Sequence, residues 1–393
     1  MLRFQNDYSE GAHPNVLRAL CDTNLCVTAG YGLDDDCRRA ADAIRARFAC
    51  PEAGVHFLVG GTQTNQLAAA AFLRPWEAMV AADTGHINVH ETGAIEATGH
   101  KVIAMPGTDG KLTPAAIADA AAQHCAAPGV YDEHMVLPRM AYISDATELG
   151  TVYTKAELTA LRAACDAHGM YLYLDGARLA QALTAAGNDL QPEDLPRLCD
   201  AFYIGGTKNG LLFGEAMVIV NDALKPGFRR AMKRNGAMLA KGRLLGVQFA
   251  AAMAHDLWLD MGRHADQQAQ RIAAALSDRG IAMYVLADEP DLPHPVGRAD
   301  RAAAGAGCVL HQRPRGRDAP GSPVRDLVGH DGRAGRRAAG RAGAGAGLSN
   351  TTSKYGNTPD AGCVGRVFYI INVPSASSPS GGDTSAAWAP SCG

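Results

Sequence analysis

The sequence lacks the features that would assign it to a membrane, secreted or metal-binding class. No apolar run approaches the ~20 residues that a membrane-spanning helix needs, and the N-terminus has no apolar segment of the signal-peptide kind. The ten cysteines form no CxxC pair, which disfavours a disulfide framework or a zinc site. The formal net charge of -3 gives no reason to expect nucleic acid or a membrane as partner. A cytoplasmic protein with reduced thiols is therefore expected.

One long segment also lacks the residues that build a core. From Leu286 to Lys354 there is no Phe, Tyr, Trp or Ile, and Ala, Gly, Arg and Pro dominate. Such a segment cannot bury enough apolar surface to offset the entropy lost on ordering. A natural disordered tail is the simplest interpretation, and an alternative is given at the end of this section.

What the chain does have is an alternating pattern. Seven short apolar segments are predicted strands: GVHFLVGG, EAMVAAD, HKVIAMPG, RMAYISDAT, YLYLDGA, AFYIGGT and AMVIVND. They are separated by helical stretches such as TKAELTALRAACDAHG, and the later segment VQFAAAMAHDLWLDM is also predicted to be a helix. This pattern predicts an α/β fold with a mostly parallel sheet flanked by helices. We expect an N-terminal arm at 1–14, a large domain at 15–245, a smaller C-terminal α/β domain at 246–348 and a disordered tail at 349–393.

Polar residues follow several predicted strands. Gly60, Gly61 and Thr62 lie between a predicted strand and an apolar helix. Backbone amides at such a helix start favour phosphate, although most such strand–helix connections are only tight turns. His86 also follows a strand, but a lone histidine is more often structural than catalytic. His90 and Glu91 could form part of a metal site, yet no third ligand has a convincing spacing, so no metal is predicted.

Asp175 and Lys208 are more informative as a pair than singly. Asp175 ends the strand YLYLD, and Lys208 follows the strand AFYIG. Taken singly, such an acid caps a helix and such a lysine lies on the surface. Their separation of 33 residues is the size of one strand–helix–strand unit, so both would face one crevice. Pyridoxal phosphate requires a lysine for the Schiff base, an acid for the pyridinium nitrogen and a glycine-rich turn for the phosphate.

The motifs resemble those of a known family. FQNDYSEGAHP, GGTQTN, TGHINVHETGA, YLDGARL, GGTKNG and LAKGRLLG are similar in order and spacing to the threonine aldolase and β-eliminating lyase family of fold-type I pyridoxal-phosphate enzymes. The resemblance covers about residues 4 to 285 and implies the fold-type I architecture. It also implies roles at the cofactor: Lys208 bonds it covalently, Asp175 pairs with its ring nitrogen, His86 stacks on the ring and assists proton transfer, and Gly61 and Thr62 bind its phosphate.

The resemblance also implies how a small amino-acid substrate is held. Arg178 would grip the substrate carboxylate. Asn6 stands where threonine aldolases usually have a serine touching the same carboxylate, and this departure leaves the substrate open. Lys241 and Arg243 could reach a phosphate or a neighbouring subunit, since the family places its active site at the subunit interface of a homodimer or homotetramer.

The activity implied is carbon–carbon cleavage of threonine, or a similar β-hydroxy amino acid, to glycine and an aldehyde. Two alternatives stay open at this point. The enzyme could instead eliminate a β-substituent from another amino acid, or the chain could be a catalytically impaired remnant of such an enzyme.

The remnant alternative arises from the C-terminal segment. Reverse translation of Leu286–Pro295, shifted by one base, permits SPTNQIFPIP, which is similar to the family at that point. The same shift of Pro323–Arg333 permits RFVTSWATTD, similar to the strand that carries a second carboxylate-binding arginine. We therefore hypothesise that residues 286–393 are frame-shifted, with read-through past Ser349. The second arginine would then be missing, and the small domain would be incomplete.

Overall fold

The computed structural model of the protein describes residues 6–280. The expectations for 286–393, including the frame shift and the disordered tail, lie outside these residues. The boundary between the large and small domains at 245/246 stays a prediction.

The strands confirm the predicted α/β pattern. Within the described residues they are β1 (Gly54–Leu58), β2 (Glu77–Ala82), β3 (Val102–Met105), β4 (Cys125–Ala127), β5 (Val130–Tyr131), β6 (Leu137–Ser144), β7 (Tyr171–Asp175), β8 (Ala201–Gly205) and β9 (Glu215–Ile219). Seven of them form one sheet in the order β1-β9-β8-β7-β6-β2-β3. These are the seven strands expected from the sequence. The pattern missed the small antiparallel β4–β5 hairpin.

The sheet is mostly parallel, as predicted. Strands β8, β7, β6, β2 and β3 run in one direction, and β9 alone runs against its neighbours β1 and β8. An antiparallel strand begins where its neighbours end. Glu215, the first residue of β9, therefore lies beside Gly205, the last residue of β8. The direction of β9 thus adds a side chain to the sheet edge at which ligands of such folds bind.

Helices cover both faces of the sheet. They are α1 (Pro14–Asp22), α2 (Asp35–Arg47), α3 (Gly61–Phe72), α4 (His86–Val89), α5 (Pro114–Ala122), α6 (Lys155–Ala167), α7 (Leu179–Thr184), α8 (Leu195–Leu198), α9 (Phe228–Arg234), α10 (Arg243–Met253) and α11 (Leu257–Ser277). Local signals explain several starts: Thr154 and Glu157 form a capping box at α6, and Thr113 caps α5 ahead of Pro114. Among residues 6–280, every helix is either too short or too polar to span a bilayer.

One predicted helix proved to be two. The segment VQFAAAMAHDLWLDM was expected to be one helix, but α10 ends at Met253 and α11 begins at Leu257. His255 and Asp256 between them have φ values of 50° and 61°, which a right-handed helix does not accommodate. Trp258, just past this kink, is fully buried in the core.

Two hydrophobic cores lie on the two faces of the sheet, because side chains alternate along a strand. On β2, Ala78 and Val80 belong to one core while Met79 and Ala81 belong to the other. The second core also contains Tyr142 of β6, Tyr173 of β7 and Tyr203 of β8. This face leads directly to the polar residues at the carboxyl ends of the strands.

Candidate active site

Asp175 is the most heavily hydrogen-bonded acid at this edge. Its carboxylate is buried at the end of β7, next to Ser144 of β6. Oδ2 accepts hydrogen bonds from Tyr142 Oη at 2.6 Å and from Asn65 Nδ2 at 2.9 Å. Oδ1 accepts one from the backbone amide of Ala177 at 3.0 Å. These donors hold the carboxylate in one orientation.

The tyrosines around Asp175 follow from strand periodicity. Tyr173 precedes Asp175 by two residues, so both side chains face the same side of the sheet. Tyr142 and Tyr203 lie on the neighbouring strands and face that side as well. The sequence analysis missed all three, although the alternation in YLYLD was the signal that could have found them.

These neighbours keep Asp175 ionised despite its burial. Burial alone would raise the pKa of Asp175, but His86 and hydrogen bonds from Tyr142, Tyr203 and Asn65 outweigh it and hold the pKa below its ordinary value. Burial, reinforced by the Asp175 charge, raises the pKa of Tyr142 and of Tyr203 well above the ordinary value, so both phenols stay protonated as donors. The site thus maintains a buried negative charge.

A glycine permits the chain to leave β7 at this point. A Cβ on Gly176 would overlap the carbonyl oxygen of Tyr203, and the oxygen of Gly176 accepts a hydrogen bond from Gly205 N at 2.8 Å. The ends of β7 and β8 can therefore approach closely only because Gly176 has no side chain. This contact brings the turn after β8 next to Asp175.

Lys208 lies in that turn and is half-buried. Burial, with the nearby Arg178 charge, lowers the pKa of Lys208, although Asp7, Asp175 and Glu215 partly oppose the shift. A lowered pKa increases the fraction of neutral amine at pH 7, and only the neutral amine is a nucleophile. Asp175 and Lys208 therefore lie within electrostatic range of each other, as the 33-residue spacing predicted.

Glu215 holds the turn that carries Lys208. Its Oε1 accepts a hydrogen bond from Thr207 Oγ1 at 2.8 Å, and Oε2 accepts one from Gly206 N at 3.1 Å. Burial raises the pKa of Glu215 to about 8. The sequence analysis did not find this residue, because its place at the site depends on the antiparallel direction of β9.

His86 begins the short helix α4 and is oriented by two acids. Its Nδ1 lies 2.7 Å from Oε1 of Glu91, and its backbone amide donates to Glu148 at 2.9 Å. Glu91 is buried and also accepts from Asn65 Nδ2 at 2.8 Å. Because a carboxylate accepts hydrogen bonds, Nδ1 of His86 is assigned the proton, which leaves Nε2 as the acceptor of the neutral ring.

Asn65 joins the histidine system to Asp175. Its amide nitrogen donates both to Glu91 and to Asp175, and its oxygen accepts from Tyr173 Oη at 3.0 Å. A continuous set of hydrogen bonds thus runs from His86 to the buried carboxylate of Asp175. Glu91, considered from sequence only as part of a weak metal pair, is instead the partner of the His86 ring.

Helix α3 starts beside these groups. Its N-cap residue is Gly60, which has no side chain to bond the first backbone amides. Thr62 is exposed on the first turn. A Cβ on Gly61 would lie 2.9 Å from Tyr203 Oη, so glycine lets the helix begin against the tyrosines. Amides and dipole at such a helix start favour an anion.

Arg178 forms a buried ion pair with Asp7 of the N-terminal arm. Arg178 is buried and donates from Nε to Asp7 Oδ2 at 2.6 Å. Asn6 is half-buried, and its Oδ1 accepts hydrogen bonds from Tyr8 N and Ser9 Oγ at 3.1 and 2.8 Å. The structure thus places Asn6 next to the residue that bonds Arg178, and the side-chain oxygen of Asn6 is hydrogen-bonded within the arm.

Arg243 and Lys241 were expected to reach a phosphate or a neighbouring subunit. Arg243 donates to Thr23 Oγ1 at 3.2 Å, and Lys241 is exposed. The part of the chain that the structure describes contains no group of three His, Cys, Asp or Glu residues suited to a metal ion.

The donor set fits pyridoxal phosphate. Asp175 supplies a buried, ionised carboxylate for a ring nitrogen, and Lys208 supplies an amine with a lowered pKa. The start of α3 at Gly61 and Thr62 offers amides for a phosphate. His86 presents an imidazole, fixed by Glu91, next to these groups. Each functional part of the cofactor therefore has a matching group.

Comparison with known proteins agrees with this arrangement. The family model described as β-eliminating lyase matches residues 19–293. A low specificity L-threonine aldolase of Pseudomonas aeruginosa is 32% identical over 278 residues, covering 70% of this chain and 78% of that protein.

Solved structures are similar as well. A threonine aldolase structure from Leishmania major has a TM-score of 0.66 and 50% identity, covering 70% of this chain and 78% of that chain. Aspartate aminotransferase from Thermus thermophilus has a TM-score of 0.54 at 14% identity over 69% of this chain and 70% of that chain. That second likeness concerns the fold alone and agrees with the fold-type I architecture. Since the family match spans most of the sequence and agrees with the residues gathered around Asp175 and Lys208, the chain belongs to the β-eliminating lyase family and is a pyridoxal-phosphate-dependent lyase.

Proposed function

We propose that this enzyme cleaves L-threonine, or a similar β-hydroxy amino acid, to glycine and an aldehyde. The observation that carries the proposal is the hydrogen-bonded system in which Glu91 fixes the imidazole of His86 and Asn65 connects Glu91 to Asp175. A fixed base next to an electron-withdrawing cofactor suits removal of a hydroxyl proton. Relatives named threonine aldolase support the same substrate class.

We propose that the cofactor is held by the residues assigned from sequence. Lys208 bonds it, Asp175 pairs with its ring nitrogen, His86 stacks on the ring, and Gly61 and Thr62 receive its phosphate. Bound pyridoxal phosphate supplies an electron sink for the electron pair released when the Cα–Cβ bond breaks. The negative charge of Asp175 keeps the ring nitrogen protonated and so strengthens that sink.

The chain's own residues position and deprotonate the substrate. Arg178 binds the α-carboxylate, and Asn6 adds a contact through its amide nitrogen. His86 accepts the β-hydroxyl proton at Nε2, because Nδ1 is occupied by Glu91. Loss of that proton turns the hydroxyl oxygen into the carbonyl oxygen of the departing aldehyde, and Cα is then reprotonated to give glycine.

An assay of two sets of products tests this function against its main alternative. Purified protein loaded with cofactor should release acetaldehyde and glycine from threonine in equal amounts. Release of pyruvate and ammonia from serine, cysteine or an aromatic amino acid, without acetaldehyde from threonine, would favour β-elimination instead. Absence of both activities in protein that binds the cofactor would favour the impaired remnant.

Replacement of His86 by Phe tests its role as the base. Phe keeps an aromatic ring for stacking but has no Nε2, so kcat for threonine should fall by about 10²- to 10⁴-fold, with little change in the visible absorbance of the bound cofactor. Asn88→Ala, an exposed substitution on the same short helix, is the control. An unchanged kcat in His86→Phe would remove the histidine from the mechanism.

We also propose a cytoplasmic location and a homodimer or homotetramer with the active site at the subunit interface. The cysteines form no CxxC pair, as expected for reduced thiols, and this supports the cytoplasmic location. The family resemblance supports the oligomer, and Lys241 or Arg243 would then reach the phosphate or the neighbouring subunit. Sedimentation velocity of the purified protein would test the assembly.

The frame-shift hypothesis predicts weak binding of the substrate. The family match stops at residue 293, close to the proposed change of frame at residue 286, which supports the hypothesis. Arg178 would then bind the carboxylate without a second arginine, and substrate affinity should be low. Sequencing the locus tests this directly: an uninterrupted frame without a family-like peptide in the neighbouring frame would refute it.

A further inference from the structure

Asp7 is an acid to which the sequence analysis assigned no role. It is buried, with 4% of its surface exposed, although it lies only a few residues from the N-terminus. Its Oδ2 accepts the 2.6 Å hydrogen bond from Nε of Arg178, and the exposed fractions of the two side chains are 3% and 7%. A pair so strongly buried is costly to desolvate, so good geometry and further bonds are needed to offset that cost.

The atom that Asp7 contacts indicates its role. Nε is the guanidinium nitrogen next to the aliphatic stem, whereas an incoming carboxylate forms its end-on bidentate pair with the two terminal nitrogens. Because the guanidinium is planar and rigid, a hydrogen bond at Nε fixes the direction in which the terminal nitrogens point. The Asp7 bond can therefore orient Arg178 without using the atoms that a bidentate carboxylate requires.

The arm itself is fixed by the residue before Asp7. The Asn6 oxygen accepts hydrogen bonds from Tyr8 N and Ser9 Oγ, which closes a turn around Asp7. Asp7 is thus presented by an ordered turn, which restricts the position of its carboxylate.

The surrounding charges also favour an acid at this place. Arg178 and Lys208 are two cations within electrostatic range, and Arg178 disfavours the charged form of Lys208. Asp7 has the opposite effect on Lys208. Its negative charge therefore allows both cations to lie in one small site.

We propose that Asp7 is a positioning residue that aims the guanidinium of Arg178 at the α-carboxylate of the amino-acid substrate. This inference rests on the proposed function for the substrate class. The opposite possibility is that Asp7 occupies the place of the substrate carboxylate and competes with it. The two differ in sign, since loss of a positioning residue weakens carboxylate binding while loss of a competitor strengthens it.

The test compares glycine with methylamine, which is glycine without its carboxylate. Both are titrated into cofactor-loaded protein, and dissociation constants are taken from the change in visible absorbance. Asp7→Asn should weaken glycine binding by about 10-fold or more relative to methylamine binding, the scale of a lost charge-assisted bond, because methylamine reports only the effect of Asp7 on Lys208. Glu10→Gln, which removes an exposed acid from the same arm, is the matched control and should resemble the wild type.

Three results would overturn the proposal. Tighter glycine binding in Asp7→Asn would indicate a competitor. An equal loss for glycine and methylamine would indicate a general effect on the site, and unchanged dissociation constants for both ligands would indicate no role in carboxylate binding. Only the cofactor-bound fraction is compared, so partial unfolding does not mimic the effect.

A double-mutant cycle tests whether Asp7 acts through Arg178. Arg178→Lys keeps the positive charge but lacks Nε and the planar fork. It should lose glycine affinity to a similar extent, and adding Asp7→Asn to it should cost little more, because the two residues act together. Additive losses would contradict the proposal. Glycine binding does not depend on threonine cleavage. If Asp7→Asn weakens glycine binding relative to methylamine binding but the wild type does not cleave threonine, the proposed function is refuted and this inference is not.

Discussion

Replacing Lys208 by Ala is expected to lower kcat/KM for threonine by about 10⁴-fold or more, the scale of losing a catalytic nucleophile. Lys208 lies in the turn after β8, and burial lowers its pKa, so it is the amine prepared for bonding to the cofactor. The visible absorbance of protein-bound pyridoxal phosphate should disappear or move to the wavelength of the free aldehyde. Absorbance spectra and aldehyde release measure both effects.

The control for this variant is Lys101→Ala, because Lys101 is exposed next to the start of β3. It should keep both activity and spectrum. Reduction of the wild type with borohydride, followed by peptide mass spectrometry, should place the cofactor on the peptide that contains Lys208. A label on another lysine, or an active Lys208→Ala variant, would refute the proposed site.

Replacing Asp175 by Asn is expected to lower kcat by about 10²- to 10³-fold, the effect of removing one preorganised electrostatic group. The side chain keeps its shape, but the charge that keeps a ring nitrogen protonated is lost. Tyr142 and Asn65 both donate to Oδ2 in the wild type, and an amide nitrogen at that position could accept neither bond. Cofactor affinity should therefore fall too, measured by titration of the unloaded protein.

The pH dependence of this variant gives a further check. Because the pKa of Asp175 lies below its ordinary value, the wild-type carboxylate is ionised throughout the range from about pH 5 to 9. Wild-type kcat should then show no titration of Asp175 over that range. In Asp175→Asn the ring nitrogen is no longer held protonated, so the activity of the variant should fall further as the pH rises. A variant whose kcat follows the wild-type pH profile would mean that Asp175 does not control the protonation of the ring nitrogen. Asp119→Asn, an exposed substitution on α5, is the control.

The sequence predicted the sheet well because its strands are buried on both faces and read as short apolar runs. Asp175 and Lys208 could be paired in advance, since the crossover unit between β7 and β8 has a nearly fixed length. Both lie where the carboxyl ends of parallel strands meet, so their neighbourhood follows from the fold class alone.

The residues that support this pair were not predictable in the same way. Asn65 lies 110 positions before Asp175, and Glu215 enters the site because β9 runs antiparallel. Asp7 contacts Arg178 across 171 positions. Local periodicity has no information on contacts of such range, because they depend on how whole elements pack.

By itself the sequence determined the class of fold, the order of the strands along the chain and the positions of the principal polar residues at the strand ends. These properties follow from local spacing and composition. Only the tertiary structure decided that Glu91 fixes His86, that Asn65 connects Glu91 to Asp175 and that Asp7 holds Arg178 at Nε. The reason is that hydrogen bonds are directional and short, so their partners are known only when separate elements have been brought within about 3 Å.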